Sequence, residues 1–141
     1  MSSKEAPDFI NLGIVVNDNG EVLMIRRKNK EKGRTGAVLE WAFPGGRQHL
    51  NESRNECVKR TILGETGYSI EVVKEIVLRI EHVQFPIMVA YHLCGLRSGK
   101  PVAKPKEPKE IAEIKWIKKQ DIRDVITTNL DKKVAQELKI I

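Results

Sequence analysis

The stretch that most constrains this chain is Gly46 to Tyr68, GRQHLNESRNECVKRTILGETGY, with the residues leading into it. Trp41-Ala42-Phe43 reads as a short strand, and Pro44-Gly45-Gly46 stops it with a backbone that few other residue types could follow. Ser53 and Glu56 have capping-box spacing, the signature of a helix start. Cys57, Val58, Thr61 and Ile62 then make a mostly apolar stripe of helical period. The pattern predicts a helix over Ser53 to Leu63, ended by the segment Gly64 to Gly67. Strand, glycine turn, helix and second glycine turn thus form one unit in the middle of the chain.

Strand-like segments lie on both sides of that unit. Phe9 to Val16 and Glu21 to Arg27 are rich in β-branched and apolar residues, and Asp18-Asn19-Gly20 between them predicts a hairpin. Lys28 to Val38 carries glycines and many charges and reads as a loop. Strands are expected over Glu71 to Arg79, over Gln84 to Leu96, and around Ile114 to Ile117. The connection from Gly99 to Pro108 holds three prolines. Leu130, Val134, Leu138 and Ile141 recur every three or four residues, as an amphipathic C-terminal helix requires. With no repeat and no domain-sized linker, residues 1–141 read as a single α/β (α+β) domain, a sandwich around one central helix.

Composition narrows the function classes. A chain of 141 residues can bury a real core. At 40% hydrophobic and 31% charged it lacks the signature of disorder. Its longest apolar runs, such as Ile87-Met88-Val89-Ala90, are far too short to cross a bilayer. No apolar segment follows Met1-Ser2-Ser3-Lys4-Glu5, so no secretory signal is read there. Cys57 and Cys94 make neither a disulfide framework nor a CxxC pair, which points to a reducing, cytoplasmic setting. Twenty-five Lys and Arg against 19 Asp and Glu give a net charge of +6, which favours anionic partners. Six bases crowd Arg26 to Arg34, opposed only by Glu31. Aromatics are only 5% of the chain, too few for interleaved stacking platforms, so a nucleic-acid partner is not expected.

The central stretch resembles the Nudix box: Gly, five residues, Glu, seven residues, then Arg-Glu-apolar-x-Glu-Glu-x-Gly-apolar. Gly46, Glu52, Arg60, Ile62, Glu65, Gly67 and Tyr68 fall on that pattern. The approach Trp41 to Gly46, Arg26-Arg27 upstream and the Glu-rich run before Trp116 extend the likeness over most of the chain. The resemblance implies a Nudix-like α/β/α sandwich with a mixed sheet, a central loop–helix–loop and a C-terminal helix. It also implies Mg2+-dependent (or Mn2+-dependent) hydrolysis of a nucleoside diphosphate linked to another group.

Two positions depart from the box. Thr61 stands where the family has the glutamate after the arginine, and Gly64 where it has the first of the paired glutamates. Positions 61, 64 and 65 share one side of a helix, and in the family that trio gathers carboxylates around magnesium. Here one of three remains. Magnesium keeps several waters and often uses only one or two carboxylates plus substrate phosphates, so the loss predicts a weakened site rather than none. By resemblance Glu65 is the principal metal ligand and Glu52 an auxiliary one, braced by Arg60; these three are the expected catalytic residues. Glu110 is a candidate distal ligand, although Glu107 and Glu113 are equally available nearby. Arg26, Arg27 and Arg47 are the expected phosphate contacts, with Gly45 and Gly46 forming the cradle.

Other residues have plainer readings. Cys57 has no obvious local base and reads as a small buried side chain. His49, His82 and His92 lack metal-ligand spacing. Trp41 and Phe85 suit core packing better than stacking on a base. The expected partner is a small nucleotide or other phosphorylated ligand, with a homodimer left open. The alternative to a hydrolase is an impaired Nudix-fold domain that holds such a ligand as a sensor or regulator.

Overall fold

A computed structural model describes residues 9–32, 38–82, 86–106, 110–126 and 130–140, with side chains placed for all of these but 29–32, 38–39, 81–82 and 86. Among the described residues seven strands form two sheets. The first runs β4 (Gly45–Arg47), β1 (Phe9–Val15), β6 (Pro86–Leu96) and β5 (Ile70–His82). The second runs β3 (Val38–Ala42), β2 (Glu21–Lys32) and β7 (Ile111–Lys118). In the first sheet β1 is parallel to β6 and antiparallel to β4, so this sheet is mixed as expected.

The predicted hairpin at Asp18-Asn19-Gly20 is a turn between sheets rather than within one. The turn itself forms: the Gly20 amide donates to Asn17 O at 3.0 Å and Gly20 takes φ 75°. Beyond a single bridge, Val16 to Val22, the strands part company. Both edges of β1 are already filled, by β6 and β4, which leaves β2 to pair with β3 and β7. The Gly45-Gly46 segment, expected as a turn, is the short strand β4. Strand β2 runs past Arg27 to Lys32, where a loop was expected, with a register shift against β3 between Arg26 and Glu31.

Helix α1 (Arg54–Thr66) begins as its sequence predicts. Ser53 Oγ accepts the Glu56 amide, and Glu56 Oε1 accepts the Ser53 amide. Such a cap stabilises by about 1 kcal/mol. Gly64 does not end the helix. The stop is Gly67, left-handed at φ 79°, whose amide closes on Leu63 O. A Cβ at Gly67 would strike Ala103 O, because the 99–106 connection is tied down there. The Val102 amide donates to Gly67 O and the Lys106 amide to Gly64 O, at 2.8 and 2.7 Å.

The core has two clusters. Val58 and Ile62 of α1 pack with Val15, Leu23, Ile70 and Cys94. Ile14, Val22, Met24, Phe43 and Ile117 pack with Ile122, Val134 and Leu138. The C-terminal periodicity yields a shorter helix than expected. A turn at Lys119–Asp121 and α2 (Ile122–Val125) precede α3 (Lys132–Glu137), capped by Asp131. Lys139, at φ 58°, halts it, and Ile141 lies outside the described residues. No helix among the described residues is long and apolar enough to cross a membrane.

Candidate active site

The central feature is where β4 meets α1. Gly45 sits at φ 146°, with Asn11 O and Leu12 Cα so close that no Cβ fits. Its amide donates to Glu65 Oε1 at 2.8 Å. Glu65, in the last turns of α1, is 6% exposed, a buried carboxylate held by a backbone N–H at the end of the glycine cradle. Gly46 faces Thr61, whose methyl would lie 3.1 Å from a Cβ there. Gly46 O accepts the Cys57 thiol at 3.5 Å.

Glu52 and Arg60 form a bidentate pair. Arg60 Nε donates to Glu52 Oε2 at 2.6 Å and an Nη to Oε1 at 2.9 Å, and the same Nη reaches Arg47 O at 2.9 Å. The His49 amide donates to Glu52 Oε1 at 2.9 Å. Both carboxylate oxygens are thus engaged in bracing the loop to the helix and to β4. The Arg60 hydrogen bond lowers the Glu52 carboxyl to about 2, from an ordinary 4.5. A depressed carboxyl adds stability that is complete above its ordinary value and is lost as pH falls toward the folded one. The wild-type protein should therefore lose more unfolding free energy between pH 5 and pH 2.5 than Arg60→Met does, as read by urea titration. Parallel pH profiles would remove the pair from the account.

The departures are visible as geometry. Thr61 Oγ1 donates to Cys57 O at 2.9 Å, turning the hydroxyl proton into the helix backbone. Nothing lies within 4 Å of the position a Gly64 Cβ would take. Among the described residues no group of three or more His, Cys, Asp or Glu side chains gathers as a metal cluster. Glu110 is exposed, and its carbonyl accepts the Lys28 amide at 2.8 Å. Glu107 and Phe85 lie outside the described residues.

The three arginines lie on two elements, Arg26 and Arg27 in β2 and Arg47 in β4. Arg26 is paired with Glu113 at 3.1 Å, lies 4.0 Å from Glu40, and sits 6.0 Å over the Trp41 ring. Arg27 is partly buried, and its Nε has no hydrogen-bond partner among the described residues. Arg47 is exposed at the end of β4, beside the cradle. Burial pushes the Cys57 thiol up to about 11, which keeps it protonated and leaves it a packing residue.

A family model for the NUDIX domain matches residues 10–138 of this chain. The chain belongs to the NUDIX domain family. A "Putative 8-oxo-dGTP diphosphatase" of Bacillus subtilis strain 168 is 39% identical over 56 residues, covering 40% of this chain and 32% of that protein. A "Putative nudix hydrolase 1" of Caenorhabditis elegans is 27% identical over 119 residues, 82% of this chain and 30% of that protein. The matches thus span about a third of the length of these curated relatives. The crystal structure of a MutT NUDIX hydrolase from Burkholderia pseudomallei superposes with a TM-score of 0.68 at 22% identity, covering 97% and 99% of the two chains. That likeness establishes the Nudix fold.

Sequence reasoning missed Asn11, Gln48 and His92, which are buried and joined by hydrogen bonds. Asn11 inside an otherwise apolar strand was the available signal.

Proposed function

We propose that this Nudix domain, residues 1–141 as one unit, is a cytoplasmic pyrophosphohydrolase of weak turnover, acting on a nucleoside diphosphate linked to another group. One observation carries the reading: Glu65 is buried with Oε1 on the Gly45 amide, at the meeting point of cradle and helix. The donor set suits a single hard cation completed by waters and substrate phosphates, not a cluster. Glu65 is the residue that would hold Mg2+ or Mn2+. Glu52, held by Arg60 and the His49 amide, serves first as a brace and keeps lone-pair capacity for an auxiliary role at the cation. When bound, the cation neutralises phosphate charge and acidifies a water. Arg47 provides the nearest phosphate contact, and Arg26 and Arg27 add positive potential on the neighbouring sheet.

The second reading, a domain that holds such a ligand without cleaving it, is favoured by the missing three-acid group among the described residues. One screen separates the two. Nucleoside triphosphates, sugar nucleotides and dinucleoside polyphosphates are incubated with Mg2+ or Mn2+, and released phosphate and thermal stabilisation are read in the same wells. Turnover supports the hydrolase, and stabilisation without turnover supports the binder. Neither response across the panel would overturn both.

A further inference from the structure

Three buried polar side chains form a line beneath the turn that carries Glu52. Gln48 Nε2 donates to Glu52 O at 2.7 Å, and Asn11 Nδ2 donates to Gln48 Oε1 at 2.7 Å. His92 Nε2 lies 2.9 Å from Asn11 Oδ1. The three residues are 3%, 0% and 1% exposed respectively. They come from β6, β1 and the residue after β4, so the line ties the interior of the mixed sheet to the site loop.

The direction of this line follows from its far end. A backbone carbonyl only accepts, so Gln48 must present its NH2 to Glu52 and its oxygen to Asn11. Asn11 must then donate to Gln48, leaving its own oxygen for His92. His92 therefore donates from Nε2, and its Nδ1, buried and with no hydrogen-bond partner among the described residues, carries no proton. Burial lowers the imidazole pKa and favours that neutral form. The relay meets a turn in need of support. Asn51 is left-handed at φ 66°, and the turn's own bonds are His49 N to Glu52 Oε1 at 2.9 Å and Glu52 N to His49 O at 3.3 Å.

We propose that His92, Asn11 and Gln48 are positioning residues, a one-way relay of hydrogen bonds that sets the 48–52 turn and through it the Glu52–Arg60 clamp on β4. Only its effect on turnover rests on the hydrolase reading; the relay itself is read without substrate. In the unaltered protein, nitrogen-15 NMR should find His92 as the Nε2–H tautomer, and an Nδ1–H tautomer would overturn the relay. Gln48→Met and Asn11→Asp remove a donor at successive links. Each should lower hydrogen-exchange protection of the His49 amide about tenfold or more relative to the core amide of Met24. Unchanged His49 protection in both would overturn the proposal. His92→Gln, which keeps a donor, should restore the protection that His92→Leu loses. If the screen finds turnover, Gln48→Met and Asn11→Asp should lower kcat and leave KM within about twofold.

Discussion

Gly45→Ala should destabilise the protein by about 3–5 kcal/mol. At φ 146° the residue occupies a region closed to L side chains, which costs about 1–3 kcal/mol by itself. The added carbon would also collide with Asn11 O and Leu12 Cα, which are backbone atoms of β1 and cannot step aside. Relief would require β4 to leave β1, breaking the Leu12–Gly45 register and the Gly45 amide bond to Glu65. Urea unfolding followed by circular dichroism measures this. A loss below about 1 kcal/mol would show that β4 is not held as described.

The second large effect has the opposite sign. Introducing carboxylates by Thr61→Glu and Gly64→Glu together should raise turnover about 100-fold on whichever substrate the screen identifies, at about 1.4 kcal/mol per tenfold. The fold has room for both. Nothing lies within 4 Å of a Gly64 Cβ, and replacing glycine inside α1 favours the helix by a further ~0.5–1 kcal/mol. At position 61 the present methyl already lies against Gly46, which has no side chain to obstruct a longer one. The hydroxyl lost there donates only to carbonyls of its own helix, at Cys57 and Val58. The double variant should also need less magnesium to saturate than the natural protein. Steady-state kinetics over a magnesium series reads both quantities. No gain in turnover would mean that the departures at 61 and 64 are not what limits this site.

What the chain discloses of its structure divides by range. Local signals transferred intact: Ser53 and Glu56 form the capping box, and the stop expected within Gly64 to Gly67 falls at Gly67. The eight-residue spacing of Glu52 and Arg60 became an ion pair because the helix brings its second turn over its own preceding loop. Long-range pairing was not legible. The Asp18-Asn19-Gly20 turn is a hairpin signal, yet parallel β6, some 80 residues away, fills the edge of β1 that β2 would have used. Asn11 and His92 are 81 positions apart and Asn11 and Gln48 are 37, so no window of sequence holds the relay. Glu65 could be placed on a helix face from its spacing, but its burial against Gly45 depends on where β4 is added to the sheet. Arg26 lies among Glu40, Trp41 and Glu113, neighbours that only the pairing of β2 with β3 and β7 brings near.

The decisive measurement is the Mn2+-dependent thermal stabilisation and turnover given by the best nucleotide of the screen, compared between the natural protein and Glu65→Gln. Glutamine keeps an oxygen for the Gly45 amide, so the variant should fold with the parent's melting temperature in the absence of ligand. It should lose the metal-dependent share of stabilisation and at least about tenfold in turnover, because a neutral amide is a poor partner for a hard cation. Equal stabilisation and equal turnover in the two proteins would contradict the assignment of this site to a single buried carboxylate.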